Sequence, residues 1–151
     1  MLYTAAAATP GDAKNPLALA LKDLTRSNSI NILSAFVAAQ QAALGFADLP
    51  ESASRTFIYT GNILNEVPIP LLLDLGVGKS ATAHFIHAAA DVYKDKGFKF
   101  YYADQRTEDG GPAYSAVDGP AHAKLYAELA EGTSQGPWQQ TFVKGIGYKK
   151  F

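Results

Sequence analysis

A lysine flanked by glycines is the first residue in this sequence whose surroundings could do chemistry. Gly76, Gly78, Lys79 and Ser80 match the end of a phosphate-binding loop, in which backbone N–H groups and the lysine hold a nucleotide's phosphates. That loop has the spacing G-x-x-x-x-G-K-[ST], which requires a glycine at position 73, where this chain has Leu73. We therefore predict no phosphate loop here, and from the residues alone the stretch indicates a glycine-rich helix start with a solvated lysine.

Three histidines are the next candidates. His84 and His87 lie three residues apart on one predicted helix and His122 lies on another, but the chain contains no cysteine. The spacing of these side chains is not that of a zinc site, so we predict no metal and expect histidines at helix surfaces or core edges. Asp104, Arg106, Glu108 and Asp109 are interpreted as a solvated loop, and Tyr93, Tyr101 and Tyr102 as core aromatics.

Four strands are predicted from β-branched, aromatic and apolar runs. They are a buried strand at 2–6 and three further strands at 55–60, 98–103 and 140–144. Trp138 is expected to pack beside the last of them.

Three helices are predicted between these strands. Residues 28–47 carry Ile30, Leu33, Val37 and Leu44 at helical spacing, with alanines between them, which predicts the first long helix. Residues 75–96 form the second helix and end at Gly97. Its apolar residues form two neighbouring stripes, one of Ala83, Ile86, Ala90 and Tyr93 and one of Phe85, Ala89 and Val92. The third runs from its cap at Asp118 to Glu131.

Strands and helices alternate along the chain, which favours a parallel sheet with helices packed on both faces. The predicted fold class is therefore α/β, a three-layer Rossmann-like parallel sheet, in a single domain spanning 1–151.

Several stretches resemble the C-terminal part of fungal-type short-chain dehydrogenase/reductases. The segment 75–81 (LGVGKSA) is similar to the family's Tyr-Gly-Ala-Ser-Lys-Ala-Ala, with Lys79 in the lysine position and Leu75 where the family has its tyrosine. Thr4-Ala5-Ala6 falls where the family has Asn-Ala-Gly, and Asn31 matches the asparagine of the first long helix. Counting thirteen residues back from Leu75 leads to Asn62, in the position of the catalytic serine.

The resemblance implies a fold, a site and a cofactor. It identifies the strands as strands 4 to 7 of the family fold, truncated relative to the whole, because no G-x-G-x-x-G occurs in this sequence. It implies that Asn31, Asn62 and Lys79 are a remnant catalytic set. It also implies that Thr4, Ala5 and Lys79 contact NADP or NAD, and that a small-molecule carbonyl is the substrate. Tyrosine is the general acid/base in the family, whereas Leu75 cannot carry a proton.

Three functions follow as alternatives. The chain is an oxidoreductase relative with weak or no activity by itself, or a non-catalytic oligomeric binding or scaffold module. The third alternative is an active NAD(P)H-dependent reductase whose N-terminal half is not in this chain. An apolar, uncharged first strand at an open sheet edge, together with the two long helices, predicts a homo-oligomer.

Composition and charge bear on the partners and the location of the protein. The chain has 151 residues and a formal net charge of -1, which gives no electrostatic reason to expect nucleic acid as a partner. We expect no apolar run to reach the ~20 residues needed to span a bilayer. The N-terminus does not have the pattern of a signal peptide, so we predict a cytoplasmic protein.

Overall fold

The computed structural model describes all residues from 1 to 151. It contains one five-stranded sheet in which neighbours in sequence are also neighbours in space, in the order β1-β2-β3-β4-β5. The strands are β1 (Leu2–Tyr3), β2 (Thr56–Thr60), β3 (Lys99–Arg106), β4 (Gln139–Val143) and β5 (Gly147–Tyr148). The first four are parallel and β5 is antiparallel to β4, a terminal hairpin that the sequence did not predict.

Helices cover both faces of the sheet. They are α1 (Leu21–Asn28), a π-helical segment (Ser29–Ser34), α2 (Ala35–Ala47), α3 (Leu73–Tyr93) and α4 (Gly119–Glu131). Short 3₁₀ turns lie at Pro16–Ala18, Ile63–Asn65, Pro70–Leu72, Lys94–Lys96 and Tyr114–Ala116.

The strand residues alternate between two hydrophobic cores, as side chains in strands must. Tyr59 and Phe100 pack with α2 and α3 on one face, while Ile58 and Tyr101 pack with Leu125 of α4 on the other. The predicted three-layer α/β Rossmann-like fold is confirmed.

The first long helix is longer than predicted. It runs without a break from Leu21 to Ala47, through the π-helical segment, rather than beginning at 28. Leu33, Val37 and Leu44, the large residues whose spacing predicted this helix, are exposed. Small residues face the core instead, with Ala35, Ala39, Ala42 and Phe46 buried. A π-turn is wider than an α-turn and shifts the faces that follow it, and small residues let the helix lie close to its neighbours.

Two strand predictions also need correction. β1 covers only Leu2–Tyr3 and is not buried: Leu2 is 52% exposed, because the strand pairs with β2 alone and lies at the sheet edge. β3 extends to Arg106, beyond the predicted end at 103. Asp104 and Arg106 are therefore buried strand residues and not part of a solvated loop.

The remaining helices follow the prediction. Ala83, Ile86 and Ala90 of α3 are buried, and Gly97 ends the helical stretch with a φ of 70°. The Oδ1 of Asp118 accepts a hydrogen bond from the N–H of Ala121 at 2.9 Å, which caps α4 as expected.

One helix meets the length and composition of a membrane span. Leu21–Ala47 contains 27 residues with a mean hydropathy of 1.4 in its most apolar stretch, which corrects the expectation that no run would qualify. Core helices of water-soluble proteins meet the same test, so this is weak evidence for a membrane.

Candidate functional site

Lys79 lies in the core of the protein rather than in solvent. It is part of α3 and only 4% exposed. Its Nζ donates hydrogen bonds to the hydroxyl of Tyr59 at 3.0 Å and to the carbonyl of Thr60 at 2.9 Å. Burial lowers the pKa of Lys79 to about 8, although the negative charge of Asp104 opposes that change. The glycine-rich stretch before Lys79 is helical, so it forms no phosphate loop.

The tyrosine that contacts Lys79 comes from a strand, not from the preceding turn of its helix. Tyr3, Tyr59 and Tyr102 are in register across β1, β2 and β3. Their rings stack with centroid separations of 5.7 and 5.6 Å. The sequence analysis did not single out Tyr59. The feature that could have indicated it is an aromatic residue in β2 whose side chain is on the face of the sheet covered by α3. Tyr59 is fully buried and therefore cannot touch a ligand.

Gly78 has a packing role. A Cβ at this position would lie 2.4 Å from the Cβ of Asn31, so only glycine lets α3 pass this close to the π-helical segment. Two of the predicted site residues, Asn31 and Lys79, are thus brought to the same helix crossing.

Asn31 fastens the segment that follows β1. Its Oδ1 accepts from the N–H of Ala7 at 2.9 Å, and its Nδ2 donates to the Ala7 carbonyl at 2.7 Å. The backbone carbonyl of Asn31 accepts a hydrogen bond from Thr82 Oγ1 at 2.7 Å. Thr82 is therefore a neighbour of this site that the sequence did not indicate.

Thr4 and Ala5 follow β1 directly, and both are exposed. The chain beyond them is tied to the start of α3, where Asp74 Oδ2 accepts from the N–H of Thr9 at 2.7 Å. Asp74 is fully buried and its Oδ1 accepts from the N–H of Leu75. Asp74, also missed in the sequence, holds this turn beside the lysine helix.

Asn62 lies at the carboxyl end of β2, where ligands of open parallel sheets bind. Its Oδ1 accepts from the N–H of Leu64 at 3.1 Å and caps a 3₁₀ turn, while its Nδ2 has no partner in the chain. Before it, Gly61 allows Tyr102 to pass underneath, since a Cβ there would lie 2.1 Å from that ring. The Tyr102 hydroxyl donates to the Asn62 carbonyl at 2.7 Å and fixes its position.

Asn62 lines a cavity of about 230 Å³. The cavity lies at the carboxyl ends of β2 and β3, and its lining also includes Thr60, Ile69, Leu72, Asp104, Val117 and His122. Leu75 does not line it.

One lining residue of this cavity, Asp104, belongs to a buried charged pair. Asp104 is 1% exposed, and its Oδ2 accepts from Arg106 Nε at 2.5 Å. Arg106 also pairs with Glu66 at 2.7 Å. Burial raises the pKa of Asp104 to about 6, and the charge of Arg106 acts in the opposite direction. The other oxygen of Asp104, Oδ1, is buried without a hydrogen-bond partner.

The loop over the cavity is held by the strand beneath it. Gln105 Nε2 donates to the Ala116 carbonyl at 3.0 Å, and its Oε1 accepts from the N–H of Asp118 at 2.8 Å. Tyr114, at the rim, has a φ of 44°, a left-handed conformation that is uncommon for residues other than glycine. Such strain tends to occur at functional sites.

The histidines are separated. His87 stacks on Trp138 at 4.6 Å, whereas His122 contacts Tyr126 and Phe142 on the opposite side of the sheet. Trp138 also packs against Tyr102 beside the last parallel strand, as predicted. The structure contains no group of three or more metal-ligating side chains.

Comparison with known proteins gives the family. No protein-family model matches the chain. The chain is 51% identical over 138 residues to the short chain dehydrogenase/reductase dmxR12 of Cryptosporiopsis sp. (strain 8999), an alignment that covers 91% of this chain and 56% of that protein.

Solved structures show the same fold at low identity. BdcA in complex with NADPH matches 99% of this chain and 66% of its own, with a TM-score of 0.66 and 19% identity. Acetoin dehydrogenase from Enterobacter cloacae matches 94% and 60%, with a TM-score of 0.69 and 15% identity. The landomycin C-6 ketoreductase LanV, with bound NADP and rabelomycin, matches 85% and 53%, with a TM-score of 0.64 and 17% identity.

The chain belongs to the short-chain dehydrogenase/reductase family and spans about half the length of the curated relative. It is a partial, Rossmann-like member of this oxidoreductase family.

The residues present do not fit the family's way of holding a nicotinamide ribose. Leu75 has no hydroxyl group, and the ammonium of Lys79 is buried against Tyr59 and Thr60. Two of the three N–H donors of Lys79 are taken by these groups, and the residue is only 4% exposed.

Proposed function

We propose that this chain is a ligand-binding relative of the short-chain dehydrogenase/reductases, with weak or no hydride-transfer activity by itself. The observation that carries the proposal is the state of Lys79, which is buried and bonded within the protein while the tyrosine position holds Leu75. Losing a general acid/base costs roughly 10²–10⁴-fold in rate.

The cavity beside Asn62 supports a binding role. The free Nδ2 of Asn62 can donate a hydrogen bond to a carbonyl oxygen, as a serine hydroxyl would. Apolar side chains such as Ile69, Leu72 and Val117 line the same space. A small carbonyl compound is the ligand that this combination favours.

Calorimetric titration of the purified chain with NADPH, and then with NADH, tests the proposal. We expect no heat of binding at micromolar concentrations, and no oxidation of NADPH in the presence of diacetyl. The variant Lys79→Met is the matched control, because it removes the ammonium that a specific cofactor site would need. Micromolar binding that is lost in Lys79→Met, with turnover above background, would overturn the proposal.

A second candidate is an active NAD(P)H-dependent reductase whose N-terminal part is not in this chain. It is favoured by the coverage of the curated relative, which extends well beyond the aligned region. The cofactor would be NADP or NAD, with Thr4, Ala5 and Lys79 on the nicotinamide side and Asn31 and Asn62 near the substrate. Reading the coding sequence upstream of Met1, and assaying any longer product, distinguishes this candidate from the first. A cytoplasmic location remains a prediction in either case.

We further propose that the chain forms homo-oligomers through the long helices. Leu33, Phe36, Val37 and Leu44 are exposed on the first long helix. Two of them, Phe36 and Leu44, line an apolar depression of about 510 Å³ together with Phe85 of α3. Patches of this kind commonly mark protein interfaces.

Sedimentation of two charged variants tests this assembly. Leu44→Glu should shift the chain to monomer, because a carboxylate would be buried at the interface. Leu17→Glu is the control, since Leu17 is an exposed leucine outside the long helices, at 85% exposure against 60% for Leu44. A wild-type monomer, or equal behaviour of both variants, would contradict the proposal.

A further inference from the structure

His87 and Asp91 form a pair of side chains that the proposed function does not use. They lie four residues apart on α3, so both project from one face of the helix. The Nε2 atom of His87 is 3.5 Å from the Oδ2 atom of Asp91. This separation exceeds the usual N–H···O hydrogen-bond length of about 2.7–3.2 Å. The side chains are 51% and 65% exposed, so a dissolved ion can reach the space between them.

The separation of the two atoms is the one that a shared metal ion requires. Zinc binds a histidine nitrogen at about 2.0–2.1 Å and a carboxylate oxygen at about 2.0–2.2 Å, in tetrahedral geometry. Two ligand atoms at those distances and at a tetrahedral angle are about 3.4 Å apart. The 3.5 Å gap between Nε2 and Oδ2 therefore has the width for an ion bound by both.

Trp138 holds the imidazole ring of His87 in place. The two rings are stacked with centroids 4.6 Å apart and planes 14° from parallel. Trp138 itself packs against Tyr102 of the sheet. The helix is anchored beside the pair, because Ile86 and Ala90 are buried in the core. A ligating side chain that is already fixed loses less conformational freedom when it binds an ion.

No other group in the chain occupies these two side chains. Within 4.0 Å, His87 is the only charged partner of Asp91, so the carboxylate remains available to a cation. The structure places no third metal-ligating side chain with them, so water would complete the coordination of a bound ion. A site with two protein ligands and open positions binds its ion reversibly.

We propose that His87 and Asp91 form a surface site for a divalent transition-metal ion, with Zn²⁺ as the ion that their separation fits. An imidazole and a carboxylate suit Zn²⁺ and Cu²⁺, whereas Mg²⁺ and Ca²⁺ prefer oxygen ligands alone. The spacing of the three histidines predicts no metal, but this pair combines a histidine with an aspartate. Neither residue lines the cavity beside Asn62, so this inference is independent of the proposed function.

Titration with Cu²⁺, followed through the fluorescence of Trp138, tests the proposal. The measurement is made at about pH 7.5, since a ligating imidazole must be neutral. A paramagnetic ion held by the ring that stacks on the only tryptophan should quench its emission, and the quenching should saturate at one ion per chain. Zn²⁺ binds such ligands less tightly than Cu²⁺ and does not quench, so an excess of Zn²⁺ should restore the emission.

Three variants assign the ligands. Asp91→Asn removes the charged ligand and leaves the stacked rings intact, and His87→Gln removes the nitrogen ligand. Each should weaken binding at least 10-fold, because losing even an outer partner of a metal site costs about 10–100-fold. His84→Gln is the matched control, since His84 is another exposed histidine of α3 and should not affect binding. Thermal unfolding without metal verifies that each variant is folded.

The outcomes are distinct. Equal quenching in the wild type and in Asp91→Asn would overturn the inference and assign the copper to histidines alone. A loss in His84→Gln as large as in Asp91→Asn would overturn it as well, because the ion would then lie elsewhere on the helix. Quenching that excess Zn²⁺ does not reverse would contradict a zinc site. None of these measurements involves NADPH or a carbonyl compound, so the proposed function is tested separately.

Discussion

Replacing Lys79 with methionine should change how the stability of the protein depends on pH. Burial lowers the pKa of Lys79 from an ordinary value of 10.5 to about 8. Between these two pH values the unfolded chain holds a proton that the folded protein has released. The unfolded state then binds more protons, so the free energy of unfolding rises with pH through this window.

The size of the effect follows from the same two values. A drop from 10.5 to about 8, at about 1.4 kcal/mol for each pKa unit, corresponds to about 3 kcal/mol. Below pH 8 the folded protein carries this full cost of keeping an ammonium in its core. The wild type should therefore gain about 3 kcal/mol relative to Lys79→Met between pH 8 and pH 10.5.

The assay is urea unfolding, monitored through the fluorescence of Trp138, which is the only tryptophan in the chain. Trp138 packs against Tyr102 and His87, so its emission reports on the folded sheet. The buried tyrosines and Lys99 are present in both proteins, so subtracting the two pH curves isolates Lys79. The variant Asp104→Asn should move the rise to lower pH, since it removes the negative charge that favours the ammonium. A difference curve that is flat, or that falls between pH 8 and pH 10.5, would refute the assignment of Lys79 as a buried cation.

Three further substitutions test packing and helix termini. Gly61→Ala should destabilise the protein by about 1–3 kcal/mol in chemical denaturation, because the added Cβ would clash with the Tyr102 ring. Gly45→Ala is the control and should be neutral or stabilising, because nothing lies within 4 Å of a Cβ at that position. Equal effects of the two substitutions would contradict the close approach of Tyr102 to Gly61. Asp118→Ala should cost about 1 kcal/mol by removing the cap of α4, and Asp118→Asn should restore most of it, so a neutral alanine variant would argue against the cap. Lys99→Met should accelerate hydrogen exchange of the amides in the last turn of α4, because Lys99 Nζ donates to the carbonyls of Leu129, Ala130 and Gly132. Unchanged exchange in that turn would show that Lys99 does not stabilise the end of α4.

The family and the architecture could be predicted from local patterns. The alternation of strands and helices, the cap at Asp118 and the stop at Gly97 depend on neighbours in sequence, so they were visible there. The position of Lys79 relative to Leu75 is likewise a matter of sequence spacing. The sequence alone also excludes a phosphate loop, because Leu73 stands where that loop needs a glycine.

The buried face of the first long helix could not be predicted in this way. Both the large residues at Leu33, Val37 and Leu44 and the small ones at Ala35, Ala39 and Ala42 recur at helical spacing. Periodicity gives the existence of two faces, but the choice between them depends on how closely the helix approaches its neighbours. The π-helical turn at Ser29–Ser34 adds a rotation that no pattern of hydrophobic residues reports.

The sequence by itself determined that this chain is a partial α/β member of an oxidoreductase family with a leucine in place of the catalytic tyrosine. Only the tertiary structure decided what Lys79 and Asp104 do. Lys79 is bonded to Tyr59, 20 residues before it, and Asp104 lies beside a cavity formed by two strand ends and a distant loop. Burial and charge environment arise from residues that are far apart in the chain, and they set the pKa of a lysine or a carboxyl group. Such environments exist only once the chain is folded.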